Sequence, residues 1–124
     1  MAQLTYATVG SNNLEAAKAF YDELLGSIGM KPMFEHPSGG RLYSNDEGSL
    51  FGVLGPYDGN EATIGNGTMV GFSFDTTEEI DAFHAKALEL GATNEGDPGD
   101  RAPKAYFSYF RDLDGNKFTA YKFG

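Results

Sequence analysis

Thr76-Thr77-Glu78-Glu79-Ile80-Asp81-Ala82-Phe83-His84 decides the fold, because an earlier stretch, Asn12-Asn13-Leu14-Glu15-Ala16-Ala17-Lys18-Ala19-Phe20-Tyr21, is built the same way. In each, a short polar side chain stands three positions before a glutamate: Thr76 before Glu79, and Asn12 before Glu15. That spacing lets the two side chains satisfy each other's free backbone amides at a helix start, the arrangement of a capping box. Behind the first cap, Leu14, Ala17, Tyr21, Leu24, Leu25 and Ile28 recur at helical spacing; behind the second, Ile80, Phe83, Ala87 and Leu90 do. Gly26 and Gly29 end the first helix near Met30, and Gly91 ends the second. Phe83 stands 63 positions after Phe20, so that Ala82-Phe83-His84 answers Ala19-Phe20-Tyr21. One duplication is a thinner signal than a repeat array, but cap, stripe and element order agree.

Working outward, each helix is preceded by one strand-like run and followed by three. Leu4 to Val9 precedes the first helix; Lys31 to Glu35, Gly40 to Ser44 and Ser49 to Leu54 follow it. Pro37-Ser38-Gly39-Gly40 and Asn45-Asp46-Glu47-Gly48 are turn signals between these runs. Thr68 to Phe74 precedes the second helix; Ala92 to Glu95, Ala105 to Arg111 and Lys117 to Phe123 follow it, with Asp114-Gly115 as a hairpin turn. The sequence therefore predicts an α+β fold of two βαβββ modules, module one over 1–57 and module two over 66–124, within a single domain spanning 1–124. Gly55 to Gly67, rich in Gly, Pro and Asn, joins the modules; neither half is long enough for a stable core by itself.

Composition narrows the chemistry. The chain has 124 residues and no cysteine, which removes disulfides, thiolate metal sites and cysteine nucleophiles. Its net charge of −9, from 18 acidic and 9 basic residues with no basic stripe, repels a phosphate backbone, so no nucleic-acid partner is expected. Such a balance favours a cationic ligand, and it also keeps an ordinary cytosolic protein soluble. No run is apolar for long enough to span a membrane, and Met1-Ala2-Gln3-Leu4-Thr5 has no secretory pattern; a cytoplasmic protein is expected.

Four segments carry a resemblance that touches most of the chain. They are Leu14–Tyr21 on the first helix, Asp58–Thr68 in the connector, Asp97-Pro98-Gly99-Asp100-Arg101 before the seventh strand, and Arg111-Asp112-Leu113-Asp114-Gly115-Asn116-Lys117 at the last turn, where Leu113 stands in place of a usual proline. In this order the chain resembles the glyoxalase, bleomycin-resistance and extradiol-dioxygenase group, the vicinal oxygen chelate superfamily. The resemblance implies strands curled into a cup with the helices outside and ligands inside. It also implies frequent homodimers and, in many members, a divalent metal held by His, Glu or Gln. Strand alternation agrees with such a cup: Val70, Phe72 and Phe74 fall on one side of the fifth strand, Met69, Gly71 and Ser73 on the other. On the first strand Ala7 and Val9 face the helix, leaving Tyr6 and Thr8 inward.

Carried over position by position, the four metal seats fall on Tyr6, Gly52, Met69 and Thr119. A cation needs nitrogen or oxygen lone pairs, and this set offers a poor site. No metal and no cofactor are therefore expected. The expected ligand-binding residues are Tyr6, Thr8, Gly52, Met69, Gly71, Arg101, Tyr106, Thr119 and Tyr121, with no catalytic residue assigned. The tyrosines offer apolar faces with a polar tip, suited to an aromatic ligand or to filling a small core. Arg101 could clamp an anion over the mouth.

Other motifs carry less. His84 is expected at the partly exposed edge of the second helix, and His36 in a turn at the edge of a site. Asp112-x-Asp114-Gly115-Asn116 fails as a calcium loop, since its glycine comes one position early and Phe123 stands where a bidentate glutamate belongs. The preferred expectation is a metal-independent small-molecule binder, with bleomycin-resistance-like sequestration of a cationic drug as one form. The alternatives are a metal-dependent lyase of the glyoxalase I type or a related small-molecule enzyme, and a degenerate module whose surface binds other proteins.

Overall fold

The Thr76 cap forms as the sequence predicts. Its Oγ1 accepts from Glu79 N at 3.1 Å, and Glu79 Oε1 accepts from Thr76 N at 3.0 Å, closing the capping box. The first cap differs. Asn13 is the capping residue, its Oδ1 accepting from Ala16 N at 3.1 Å. Asn12, one residue earlier, turns instead to the connector: it accepts from Ala62 N at 2.7 Å and donates to Ala62 O at 3.0 Å. Two adjacent asparagines compete for one cap, and the sequence alone does not say which is drawn off by a partner 50 residues away.

The computed structural model describes Met1–Gly124. Its elements are β1 (Tyr6–Gly10), α1 (Leu14–Gly26), β2 (Lys31–Glu35), β3 (Arg41–Ser44), β4 (Leu50–Leu54), β5 (Val70–Ser73), α2 (Thr77–Glu89), β6 (Thr93–Ala102), β7 (Ala105–Arg111) and β8 (Lys117–Phe123). The strands form two four-stranded mixed sheets, ordered β1-β4-β3-β2 and β5-β8-β7-β6. In each, the strand before the helix pairs in parallel with the last strand of its own module, and the remaining pairs are antiparallel. The chain divides into two compact units, Met1–Ile64 and Gly65–Gly124, so the connector as far as Ile64 belongs with the first.

In the first unit α1 buries Ala17, Phe20, Tyr21, Leu24 and Leu25. The Tyr21 ring lies 5.0 Å from Phe51 and 6.5 Å from Tyr43, which fixes the helix on β4 and β3. Tyr43 donates to Asp22 Oδ1 at 2.7 Å, and burial with this bond raises its phenol well above the ordinary value. Arg41 pairs with Asp22 and Glu35, holding its own charge and lowering the Glu35 carboxyl, chiefly through the hydrogen bond between them. After α1 the chain turns at Gly29, whose φ of 87° favours a residue without a side chain, and Met30 N returns to Leu25 O at 3.0 Å.

In the second unit Phe83 of α2 meets Phe72, Phe74 and Phe110 at 5.6, 5.1 and 5.8 Å. Phe110 and Phe118, both fully buried, stack at 5.5 Å beneath it. The predicted alternation on the fifth strand is thus observed, with Phe72 and Phe74 toward the helix.

The largest departure from expectation is β6. The sequence breaks it after Glu95 and reads Asp97–Arg101 as a loop, whereas the strand runs ten residues to Ala102. Its pairing with β7 slips between Asn94 and Gly96, between Gly96 and Gly99, and between Asp100 and Ala102. Such irregularities let a ladder continue past Pro98 and two glycines that otherwise read as a turn.

His84 also differs from expectation in its position. It is not at an exposed edge but 3% exposed, with its Nε2 3.1 Å from Asn94 Oδ1 and its ring edge-on to Phe110 at 6.1 Å. Asn94 Oδ1 already accepts from Gly96 N, and its amide donates to Asp97, so Nε2 carries the imidazole proton. Nδ1 is buried without a partner. Burial lowers the pKa of His84, against smaller opposing effects of Asn94, Asp97 and Asp81. The unfolded chain therefore takes up a proton more readily than the fold. Stability is full above the ordinary histidine value of 6.5 and falls as pH drops from there toward the lower folded value. Urea unfolding between pH 5 and 8 should show this loss, and His84→Gln should flatten it; equal slopes in the two proteins would remove His84 as the cause.

Candidate functional site

The sheet register sets the chemistry of the four metal seats. Thr8 pairs with Gly52 and Tyr6 with Leu50, so Tyr6 and Gly52 are staggered by two residues across β1 and β4. In the second unit Gly71 pairs with Thr119, which staggers Met69 and Thr119 in the same sense. The two halves thus present equivalent seats, but the donors do not fit a divalent ion. Gly52 is buried and has no donor; a Cβ there would stand 3.4 Å from both Leu42 Cγ and Thr8 Cγ2. Thr119 is 2% exposed, and its Oγ1 donates to Ser108 O at 2.9 Å. Met69 offers a thioether just ahead of β5, and Tyr6 a phenol. No group of three His, Cys, Asp or Glu side chains is gathered anywhere in the chain. Hard and borderline cations prefer carboxylate and imidazole to this set.

What gathers instead is aromatic surface on the second sheet, on the face turned away from α2. β7 and β8 pair Phe107 with Tyr121 and Tyr109 with Thr119, which puts these four side chains on that face. Phe107 stacks on Tyr121 at 5.4 Å and on Tyr109 at 6.1 Å, and Phe123 meets Phe107 and Tyr121 edge-on at 5.4 and 5.6 Å. Gly71 completes the face from β5. A Cβ at Gly71 would lie 3.1 Å from Tyr121 Cε1 and 3.2 Å from Thr119 Cγ2, so glycine there leaves room for the half-buried Tyr121 ring. A Cβ at Gly96 would approach Tyr109 Cδ2 to 3.0 Å and Arg101 Nη2 to 3.2 Å, so glycine there leaves room for both side chains.

Arg101 and Lys117 both lie over the Tyr109 ring, at 5.5 and 5.3 Å from its centroid. The bulged end of β6 folds Arg101 back, its guanidinium donating to Asp97 O at 2.6 Å and to Gly99 O at 3.0 Å.

Of the ligand-binding residues expected from the sequence, the second sheet brings Gly71, Thr119 and Tyr121 onto one face, with Arg101 beside Tyr109. Tyr106 requires a correction. It alternates with Phe107 and so lies on the α2 side, where its hydroxyl donates to Asp81 Oδ1 at 2.6 Å. That hydrogen bond, followed by burial, pushes its pKa up to about 12. The sequence reading missed Phe107 and Phe123, although their parity with Tyr109 and Tyr121 was available.

In the first unit Thr8 lines a cleft of about 400 Å³ at the ends of β1 and β4, closed by Pro56, Tyr57 and the connector around Ala62. Asp58 and Glu61 give it an acidic rim. Tyr6 is half-exposed on the Thr8 side of β1. His36 serves its own turn: Nδ1 accepts from Ser38 N at 3.1 Å and lies 2.9 Å from Ser38 Oγ, which in turn accepts from Gly55 N at 3.0 Å.

Comparison with known proteins adds the family. The family model of the Glyoxalase/Bleomycin resistance protein/Dioxygenase superfamily matches residues 3–119. The chain belongs to this superfamily. A glyoxalase/bleomycin resistance protein from Albidiferax ferrireducens T118 is 41% identical, with 95% of this chain and 96% of that one covered and a TM-score of 0.86. A lactoylglutathione lyase from Agrobacterium tumefaciens and the fosfomycin resistance protein FosX from Listeria monocytogenes are each 17% identical, covering 98% of this chain and 93% of theirs, with TM-scores of 0.72 and 0.70. At that identity the last two share the superfamily fold and nothing finer. No curated protein sequence matches the chain. No helix of this superfamily member is long and apolar enough to cross a membrane.

Proposed function

We propose that the protein binds a small, largely planar molecule against the aromatic face of its second sheet, without the metal that superfamily enzymes employ. The observation that carries this reading is the stacked, half-buried pair of Tyr121 and Phe107 rings beside Gly71. Rings already stacked and held by a sheet lose little freedom on binding, so they form a preorganised surface. Tyrosine adds a hydroxyl at the ring tip for orientation, as small-molecule sites commonly require. The donor set at Tyr6, Gly52, Met69 and Thr119 argues against the lyase alternative that depends on a metal.

Two measurements test the proposal. Metal analysis of protein purified without chelator, before and after adding nickel, zinc, manganese or iron, should give no stoichiometric ion; one bound equivalent would defeat the metal-free reading. A thermal-shift screen of planar aromatic compounds should find binders that Tyr121→Ala weakens about tenfold, the scale of one lost ring contact of 1–2 kcal/mol. Hits that bind Tyr121→Ala as tightly as the parent protein would place binding elsewhere.

A further inference from the structure

The charges on the aromatic face run against the charge of the chain. The protein carries 18 acidic and 9 basic residues, and Lys18, Arg41, Lys86 and Arg111 are each ion-paired with a carboxylate. Of the other five, Arg101 and Lys117 share one ring: Arg101 donates only to backbone carbonyls, Lys117 has no acidic partner, and both lie over Tyr109.

None of the carboxylates nearby forms an ion pair with either cation. Glu95 accepts from Arg111 at 2.7 Å, Asp97 accepts from Asn94 at 2.6 Å, and Asp100 pairs in register with Tyr106, on the α2 side of the sheet. Neither cation is held by a carboxylate, and both remain open to an acidic group brought to this face. In a chain with twice as many acids as bases, two cations without a carboxylate partner beside half-buried rings give one end of an apolar surface two positive groups.

We infer that the ligand of this face is an aromatic anion, its ring against Tyr121 and Phe107 and its carboxylate or equivalent acidic group toward Arg101 and Lys117. The inference rests on the binding site proposed above and names the class of molecule that it takes. It reverses the polarity expected from net charge, which favours a cation. The guanidinium is held by Asp97 O and Gly99 O and keeps further N–H groups for an incoming oxygen, and the lysine ammonium adds a second positive charge.

The test uses three probes of one shape: 2-naphthoate, 2-naphthylmethanol and 2-naphthylmethylammonium, each titrated calorimetrically into the full chain at low and at high salt. 2-Naphthoate should bind about tenfold more tightly than the alcohol, the ammonium should bind most weakly, and salt should narrow the gap. Lys117→Gln, and Arg101→Gln with Lys117→Gln, should remove the preference for 2-naphthoate while leaving the alcohol's affinity unchanged. Lys117→Gln alone suffices should the Arg101 change disturb β6. If the three probes bind equally, or the ammonium binds best, and Tyr121→Ala weakens them all, the charge assignment fails while the binding site stands. If none of the three binds, the site itself falls and the assignment with it.

Discussion

Replacing Gly40 with alanine is expected to cost the fold about 3 kcal/mol or more, at the top of the range for overpacking a core. A Cβ at this position would lie 2.1 Å from Val53 O, 2.8 Å from Leu54 Cα and 3.0 Å from Val53 C. All three are backbone atoms, so no side chain can rotate out of the way. Val53 is fully buried and paired with Arg41, the first residue of β3. Relief therefore requires β3 to move off β4, and Arg41 and Tyr43 would carry their bonds to Asp22 with them. A domain is stable by only about 5–15 kcal/mol, so this one methyl removes a large part of the total. Gly26→Ala is the control. It lies at the end of α1 with nothing within 4 Å, and it should be neutral or stabilise the protein by up to about 1 kcal/mol. Urea denaturation of both variants measures the difference, and equal midpoints would mean that β3 and β4 are not packed as closely as described.

Gly40 also shows where the sequence is legible. Pro37-Ser38-Gly39-Gly40 reads as a turn, and it is one: Gly39 has a φ of 95° and Gly39 N bonds to His36 O at 2.9 Å. Nothing local separates Gly39, needed for its backbone angle, from Gly40, needed for a close approach by a strand thirteen residues later. The same division runs through the chain. Caps, stripes and alternation are local, and they give both helices, the succession of elements along each half and the sidedness of Phe72 against Gly71. Features set by a distant partner are not local. Asn12 is drawn to Ala62, His84 is bonded by Asn94 of β6 and packed on Phe110 of β7, and Tyr106 stands one residue out of step with the face assigned to it. Within the site, Gly71, Thr119 and Tyr121 come from one register rule applied to two strands, so they were legible together. The cations above Tyr109 were half legible: Arg101 stood out in its loop, while Lys117 gained meaning only when β6 bulged and brought Arg101 to the same ring.

Asp112→Ala should destabilise the protein by about 3–4 kcal/mol, whereas Asp112→Asn should cost about 1 kcal/mol or less. Asp112 is 4% exposed, and its Oδ1 accepts from Asp114 N and Asn116 N, both at 2.9 Å, while Oδ2 accepts from the Asn116 side chain at 3.0 Å. Hydrogen bonds to a charged group contribute about 1.5–3 kcal/mol each, and alanine leaves the donors without that acceptor. These bonds also explain why the acidic turn is no cation loop: its best carboxylate is spent on its own backbone. The asparagine prediction comes from the other half of the molecule. There Asn45 holds the equivalent turn, its Oδ1 accepting from Glu47 N at 2.8 Å and Ser49 N at 3.1 Å, and Gly48 occupies the place of Gly115. One neutral amide oxygen is thus enough to organise this turn before the last strand of a module. Asp112→Asn keeps that oxygen and asks only that the Asn116 amide reorient. Should alanine and asparagine destabilise equally, the negative charge rather than the acceptor geometry holds the turn, and the two halves solve it by different physics. Should neither matter, the β7–β8 hairpin is set by strand pairing alone, from Arg111 and Lys117 inward.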